Sequence, residues 1–213
     1  MIAAYPLKKQ SDYTELKYSL RSIALYLQPT EVIIIGDKIP DWIDNVTWIK
    51  LGDVVSQANL SVRWKTIAAL EYTNEILHMN DDIYLLKPYE PVYYSSGTLH
   101  GKGESGAKQL MKELQTINKP IKYFGHYPAV YRNDFIPVLS NFSSDCVTKS
   151  AYLNYLEVDS IEVPDCKIIT AMKEDMIYKF ISDKPCFSSG AHSLKSCLPV
   201  LQKLFPGKSK YEV

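Results

Sequence analysis

The strongest constraint on the fold is the alternation of short apolar runs with helical segments in the first part of the chain. Four runs have the length and composition of buried strands: Met1–Tyr5, Val32–Ile35, Val46–Leu51 and Ile76–Met79. Two predicted helices separate them, one ending at Pro29 and one spanning Val62 to about Tyr72. A β-α-β-β-α-β order favours an α/β fold with an open, mostly parallel sheet flanked by helices.

The second half of the chain predicts a more helical region. We expect strands at Ile83–Leu86, Val92–Leu99 and near Lys167–Thr170, an aromatic loop at Lys122–Arg132, and helices at Ser105–Ile117, Asn133–Phe142, Asp145–Glu157, Lys173–Ile181 and Ser193–Leu204. Near the N-terminus, Asp12 and Glu15 have the spacing of a capping box at the start of the first helix. No linker divides the sequence, which predicts one domain over residues 1–213.

Bulk properties exclude several classes of protein. Lys+Arg and Asp+Glu both number 24, so the net charge gives no general attraction to nucleic acid or anionic membrane. No run of about 18 apolar residues predicts a membrane span. Without a signal peptide or closely spaced cysteines, we expect no disulfide framework or zinc knuckle, and a cytoplasmic location. Phosphate-loop, dinucleotide and serine-hydrolase fingerprints are missing from the sequence.

Asn80-Asp81-Asp82 follows the fourth predicted strand, at the strand end where open α/β sheets bind ligands. Adjacent carboxylates repel each other, and a hard cation such as Mg²⁺ or Mn²⁺ offsets that repulsion while bridging to phosphate oxygens. The competing interpretation is a strand-ending turn, which also favours Asn and Asp. The tripeptide alone favours the turn.

The tripeptide belongs to the last of three segments that occur in a recognisable order: Glu15–Ile23, Ile35–Trp42 and Met79–Pro88. Together they resemble the second conserved block of the Stealth capsular polysaccharide phosphotransferases, over roughly the first half of the chain and without the opening Stealth block. They are more similar to short, mostly phage-encoded glycosyltransferases, whose closing segment resembles Leu204–Glu212. For that group the resemblance covers most of the chain, and it implies a GT-A-like fold with a nucleotide-sugar-binding half (1–90) and an acceptor-side half (91–213).

The resemblance implies donor-binding roles for several residues. Asp82 would be the ligand of Mn²⁺ or Mg²⁺ with Asp81 as its partner, and Asn80, where those enzymes have an Asp, would contact the nucleotide. The remaining predicted nucleotide and diphosphate contacts are Tyr5, Pro6, Asp37, Arg21, Arg63 and Lys65. For Asp37 a Gly-Asp turn is an equal alternative, and for the three cations the alternative is a solvated helix surface.

Candidates for acid–base chemistry lie in the second half. An inverting transferase needs a base for the acceptor hydroxyl, and Glu174 and Asp175 are candidates, although the helix dipole alone also favours carboxylates in a first turn. His126 lies in an aromatic loop that suits a sugar, and His192 is a candidate third metal ligand. A hydrogen-bonded structural role is the alternative for each histidine.

The sequence therefore predicts a metal-dependent glycosyltransferase that uses a nucleotide-diphosphate sugar. Two alternatives stay open, a Stealth-type sugar-phosphate transferase and a non-catalytic module that binds nucleotide sugars. The acceptor also stays open among a hydroxymethylated base in phage DNA, a surface polysaccharide and a small molecule.

Overall fold

The computed structural model describes residues 1–8, 12–53, 58–103, 106–143 and 146–213. Its strands are β1 (Ile2–Pro6), β2 (Glu31–Gly36), β3 (Thr47–Lys50), β4 (Glu75–His78), β5 (Ile83–Leu85), β6 (Tyr93–Ser95), β7 (Ala129–Arg132), β8 (Ser160–Glu162), β9 (Lys167–Ile168) and β10 (Cys186–Ser189). Its helices are α1 (Thr14–Tyr26), α2 (Ala58–Tyr72), α3 (Ala107–Thr116), α4 (Phe135–Leu139), α5 (Thr148–Tyr155), α6 (Glu174–Ile181) and α7 (Leu194–Leu204). The predicted helix starts at Ser105 and Asp145 lie outside the described residues.

A five-stranded sheet in the order β3-β2-β1-β4-β7 forms the centre of the molecule. The first four strands run parallel, and β7 pairs antiparallel with β4 at one edge. The predicted fold class, an open and mostly parallel sheet flanked by helices, is therefore confirmed. The strand order also places β1 between β2 and β4, although β2 and β3 both lie between β1 and β4 in the sequence.

Alternation along the inner strands divides the apolar residues between the two faces of this sheet. Ala4, Ile33 and Ile35 join a core with residues of α2, α3 and α5. Ala3 and Ile34 point the other way, into a core that includes the apolar side of α1. Both faces are covered by helices, which is why β2 reads as a continuous β-branched run.

Two small sheets complete the fold. One has the order β5-β10-β9 and the other pairs β6 with β8. In the first, β5 runs antiparallel to β10, so a strand that follows the Asn80–Asp82 turn is held by the C-terminal part of the chain. Residues before and after position 90 therefore build the same layers.

Several local predictions were wrong. The loop predicted at Lys122–Arg132 contains β7, and β8 and β10 were not predicted, because such short strands are defined by distant partners rather than by local periodicity. The strand predicted at Val92–Leu99 shrinks to β6. The capping box does not form: Asp12 Oδ1 accepts from the Thr14 backbone NH at 2.8 Å, and α1 has no side-chain cap.

Helix α1 secures β5 through two buried serines. Ser19 donates to the Ile83 carbonyl at 2.6 Å, and the Leu85 backbone NH donates to Ser22 Oγ at 3.0 Å. Ser19 Oγ also lies 2.9 Å from the Tyr5 hydroxyl. Polar groups of a helix thus satisfy backbone groups of a short strand, as buried polar atoms require.

The same helix also fixes the C-terminal tail. Arg21 donates to both carboxylate oxygens of Glu212 at 2.8 Å, and to the Phe205 carbonyl at 3.0 Å. Glu212 is only 2% exposed. Burial alone would raise the pKa of Glu212, but the hydrogen bonds from Arg21 and Ser209 bring it below its ordinary value. All four cysteines are free, and no helix in the described ranges combines the length and apolarity that crossing a membrane demands.

We expect Glu212→Ala to lower the free energy of unfolding by about 3 kcal/mol, because it leaves the largely buried Arg21 guanidinium without its carboxylate. Urea denaturation would measure the loss. Glu75→Ala is the matched control, since Glu75 pairs with Arg132 at an exposed site (47% and 66% exposed) and should cost less than about 1 kcal/mol. Equal losses in the two variants would contradict the structural role of the Arg21 pair.

Candidate functional site

The main cleft opens where the strand order of the central sheet reverses. The chain leaves β1 toward β2 on one side of β1 and returns to β4 on its other side, so the carboxyl ends of β1 and β4 lie side by side at a switch point. Crevices of this kind are where open α/β sheets bind ligands. Pro6 and Lys8 line the cleft after β1, and Asn80, Asp81 and Asp82 line it after β4. Its volume is about 390 Å³.

Asp82 is the most constrained of these side chains. Its Oδ2 accepts from the Ser188 hydroxyl at 2.9 Å and from the Lys167 ammonium at 3.2 Å. Its Oδ1 is buried and has no hydrogen-bond partner among the described residues. A buried carboxylate oxygen without a donor is costly, so Asp82 has an acceptor position available for a ligand or a cation.

The tripeptide does form a turn, as its composition favours. The Ile83 backbone NH donates to the Asn80 carbonyl at 3.2 Å, which directs the chain from β4 into β5. Asn80 and Asp81 nevertheless line the cleft. The turn and the ligand-binding interpretation are therefore compatible.

Glu15 is a third carboxyl group at the cleft, and the sequence assigned it only to a helix cap. Its Oε1 accepts from the Ser189 hydroxyl at 2.8 Å, and Ser189 Oγ lies 2.7 Å from the Tyr84 hydroxyl. Burial raises the pKa of Glu15 to about 7, with a further contribution from Asp81 and Asp82. The Ser189 hydrogen bond and the Lys167 charge oppose that rise.

These groups suit a divalent ion through Asp82 and Asp81. The unpartnered Asp82 Oδ1 is a hard oxygen donor of the kind that Mg²⁺ and Mn²⁺ bind. Across the parts of the chain with described coordinates, no three His, Cys, Asp or Glu side chains are grouped to hold a metal by themselves. His192 is exposed and does not line the cleft, although Ala191 beside it does.

Only some of the other predicted nucleotide contacts line the cleft. Pro6 and Asn80 line the cleft, whereas Tyr5 is fully buried and Asp37 is exposed outside the lining. Lys65 is also buried, where it donates to the Leu7 carbonyl and pairs with Asp53 at 2.6 Å. Lys65 therefore holds the end of β1 from beneath rather than facing the cleft.

Both predicted arginine contacts have structural partners. Arg63 donates to the Leu139 carbonyl at 2.8 Å, and Arg21 binds Glu212 beside a separate cavity that includes Phe205. Neither arginine lines the cleft. Both guanidinium groups therefore bind other parts of the protein rather than the cleft.

The predicted bases Glu174 and Asp175 begin α6 and are outside the lining of the cleft. Glu174 forms a 2.5 Å ion pair with Lys203 of α7. This is the position that the helix dipole alone favours. Glu174 therefore links α6 to α7 at the surface.

His126 has a carboxylate partner that the sequence did not reveal. Its Nδ1 lies 3.1 Å from both carboxylate oxygens of Asp165. Burial raises the pKa of Asp165, but the His126 hydrogen bond and the backbone NH groups of Cys166 and Lys167 bring it below its ordinary value. An ionised Asp165 only accepts, so Nδ1 carries the proton and the lone pair of the neutral ring lies on Nε2.

The loop around His126 is held rigidly. Lys149, which is 9% exposed, donates to the Gly125 carbonyl at 2.9 Å and also to the Tyr127 carbonyl. A Cβ on Gly125 would come within 2.7 Å of the Tyr123 ring and 3.3 Å of Asp165 Oδ2. Only glycine therefore permits the close approach of this loop to Asp165.

Sequence reasoning missed Glu15, Lys167 and Asp165. Glu15 begins the Glu15–Ile23 segment, so the sequence motif already included this residue. Lys167 begins the strand that was expected near Lys167–Thr170 and Asp165 precedes it, but nothing local indicates that they meet Asp82 and His126. Their role depends on the pairing of β9 with β10, with Ser188 opposite Lys167.

Comparisons with known proteins give limited information. No family model matches the chain, and no curated protein matches its sequence. Among solved structures, the chain is similar to a crystal structure of a glycosyltransferase involved in the glycosylation of the major capsid of PBCV-1, with 10% identity, a TM-score of 0.47, and coverage of 95% of this chain and 98% of that chain. This identity and TM-score are too low to transfer an activity.

The raised pKa of Glu15 predicts a pH-dependent stability. Its pKa rises from an ordinary 4.5 to about 7 in the folded protein, so the folded state binds the proton more tightly than the unfolded chain. The free energy of unfolding contributed by Glu15 is therefore greatest below the unfolded pKa and declines as pH rises through the folded pKa.

Glu15→Gln removes this ionisation while keeping an acceptor for Ser189. We expect the variant to match the wild type at pH 4 and to be more stable at pH 8, measured by urea denaturation with a chelator present. Glu71→Gln, at an exposed site on α2, is the control and should leave the pH dependence unchanged. A wild-type and a Glu15→Gln protein with the same pH profile would contradict the assignment.

Proposed function

We propose that this protein is a glycosyltransferase that moves a sugar from a nucleotide-diphosphate donor to an acceptor hydroxyl. The observation that carries the proposal is the cleft at the switch point between β1 and β4, where Asp82 presents a buried oxygen without a partner. A carboxylate pair at that edge suits a cation-bridged diphosphate.

The diphosphate would lie between Asn80–Asp82 and Lys167. Lys167 is 25% exposed and already lies beside Asp82, so its ammonium is in place to approach negative charge on a leaving group. Pro6 and Asn80, on the neighbouring strand ends, supply the apolar and amide contacts to the nucleoside.

Asp81 and Asp82 would hold a divalent ion, either Mn²⁺ or Mg²⁺, with phosphate oxygens and water supplying its other ligands. When bound, the ion would neutralise charge on the departing diphosphate. His192 is too exposed to support its predicted place in this ligand set.

His126 is the best-supported general base for the acceptor. Asp165 orients the ring through Nδ1, which directs the basic lone pair of Nε2 away from that carboxylate. In the transfer step the acceptor oxygen bonds to the anomeric carbon, its proton passes to Nε2, and the bond to the diphosphate oxygen breaks.

The cleft carboxylate gives the first test of this proposal. The wild-type protein should release nucleoside diphosphate from UDP-glucose, UDP-N-acetylglucosamine or GDP-mannose, and Asp82→Asn should abolish the release because the diphosphate loses its anchor. Coupled nucleotide assays measure the product, and thermal shift with and without Mn²⁺ measures binding.

Asp41→Asn, an exposed substitution outside the cleft, is the matched control. Full turnover by Asp82→Asn would refute the site. Nucleoside monophosphate as the product would replace glycosyl transfer with sugar-phosphate transfer. Donor binding without any product would replace it with the non-catalytic module.

The base gives a second prediction. His126→Asn should lower kcat by about a hundredfold or more while the donor Kd is unchanged, because general-base catalysis typically contributes about 10²–10⁴. Asp165→Asn should also lower kcat, since it disturbs the tautomer. His100→Asn, in an exposed turn, is the control. A variant at His126 with normal kcat and pH profile would remove His126 from the mechanism.

A further inference from the structure

A second pocket is lined by Asp165, two residues before the cleft residue Lys167. Ser96, Gly97 and Lys102 line one wall, and residues 162–165 line the other. Its volume is about 380 Å³, within the range of roughly 300–1,000 Å³ of small-molecule sites. None of the roles assigned above uses it.

Ser96 gives this pocket an unsatisfied polar group. The residue is only 8% exposed, and its Oγ is buried without a hydrogen-bond partner among the described residues. Burying a hydroxyl in this way is costly unless something binds it. A ligand hydroxyl in the pocket would both donate to Ser96 and accept from it.

The walls of the pocket are fixed by backbone pairing. The Ser96 NH donates to the Tyr123 carbonyl at 2.7 Å, and the Tyr123 NH donates to the Gly97 carbonyl at 2.9 Å. The opposite wall is joined to the same segment, since the Val163 NH donates to the Ser95 carbonyl at 2.9 Å. The backbone of Ser96 is therefore fixed between the two walls.

The charges around the pocket favour a neutral ligand. Lys102 contributes one positive charge and rests 4.3 Å above the Tyr123 ring centroid, whereas Glu162 and Asp165 contribute two carboxylates. Phosphate groups would meet like charge here, which opposes binding. Sugar hydroxyls donate to carboxylates and accept from an ammonium, so they match the mixed lining.

Among the described residues, the lysines of one basic stretch already have partners within the protein. In the segment 203–210, Lys203 pairs with Glu174, Lys208 donates to the Val213 carbonyl, and Lys210 lies over Tyr211. The stretch around Lys102 includes two residues outside the described ranges. The chain's net charge is zero.

The pocket adjoins the main cleft. Asp165 lines the pocket and Lys167 lines the cleft, and two residues of extended chain span at most about 7 Å. An acceptor in the pocket would therefore lie beside Asp165, the carboxylate partner of His126, and within a short distance of the donor site.

We propose that the pocket between Ser96 and Asp165 binds a neutral oligosaccharide, and that, given the proposed function, this oligosaccharide is the acceptor rather than DNA. Ser96 and Glu162 would bind its hydroxyl groups. The Lys102 ammonium would donate a hydrogen bond to another of them. Binding here does not require the donor site, so the two proposals fail separately.

Ligand-observed NMR titration tests the pocket with maltose and cellobiose as neutral probes, a sulfated heparin disaccharide as the anionic probe, and a short duplex containing 5-hydroxymethylcytosine as the DNA probe. We expect a neutral disaccharide to bind with a Kd of about 1 mM or tighter. Ser96→Val should weaken that binding by roughly fivefold, as the loss of a hydrogen bond predicts. Glu162→Gln, at an exposed site, is a second variant that cannot disturb the core.

Ser182→Val on the distant end of α6 is the matched control, and thermal melting verifies that each variant is folded. Tighter binding of the duplex or the heparin disaccharide overturns the proposal, as does an absence of disaccharide binding or a Ser96→Val protein that binds normally. Loss of donor turnover in Asp82→Asn with intact disaccharide binding would support both proposals, and binding without any donor turnover would leave only the pocket standing.

Discussion

The contact of Asp82 with Lys167 and Ser188 joins the two sheets that form the cleft. Asp82 ends the turn after β4 in the central sheet, whereas Lys167 and Ser188 belong to neighbouring strands of the smaller sheet. This contact places the positive charge of Lys167 beside the adjacent carboxylates of the turn and so offsets part of their repulsion. The cleft therefore lies between the two sheets, and the pairing of β9 with β10 places Lys167 and Ser188 beside Asp82.

Helix α1 explains why one short segment matters to distant parts of the fold. Glu15 reaches the cleft, Ser19 and Ser22 secure β5, and Arg21 holds the C-terminal tail through Glu212. Successive turns of one helix thus contact both the β5-β10-β9 sheet and the C-terminal tail. The Arg21 pair illustrates that residues of this helix are constrained by structural contacts.

Sequence patterns predicted the parallel part of the sheet because its strands are buried on both faces. The run Val32–Ile35 needs no knowledge of its partners to be recognised. The same patterns placed Asn80–Asp82 at a strand end, which the structure has at the switch point. They failed for β7, β8 and β10, whose residues become strands only by pairing with β4, β6 and β5.

Site residues divide along the same line. Asp82 and Asn80 follow a locally recognisable strand, so the sequence located them. Glu15, Asp165 and Lys167 acquire their environments from chain segments far away in sequence, and no local spacing encodes that. The buried cation Lys65 shows the converse error: a charge at the expected place in a helix lies beneath β1 because the Leu7 carbonyl and Asp53 satisfy it there. Local patterns thus locate strand ends, while the tertiary pairing decides which charged groups face the cleft.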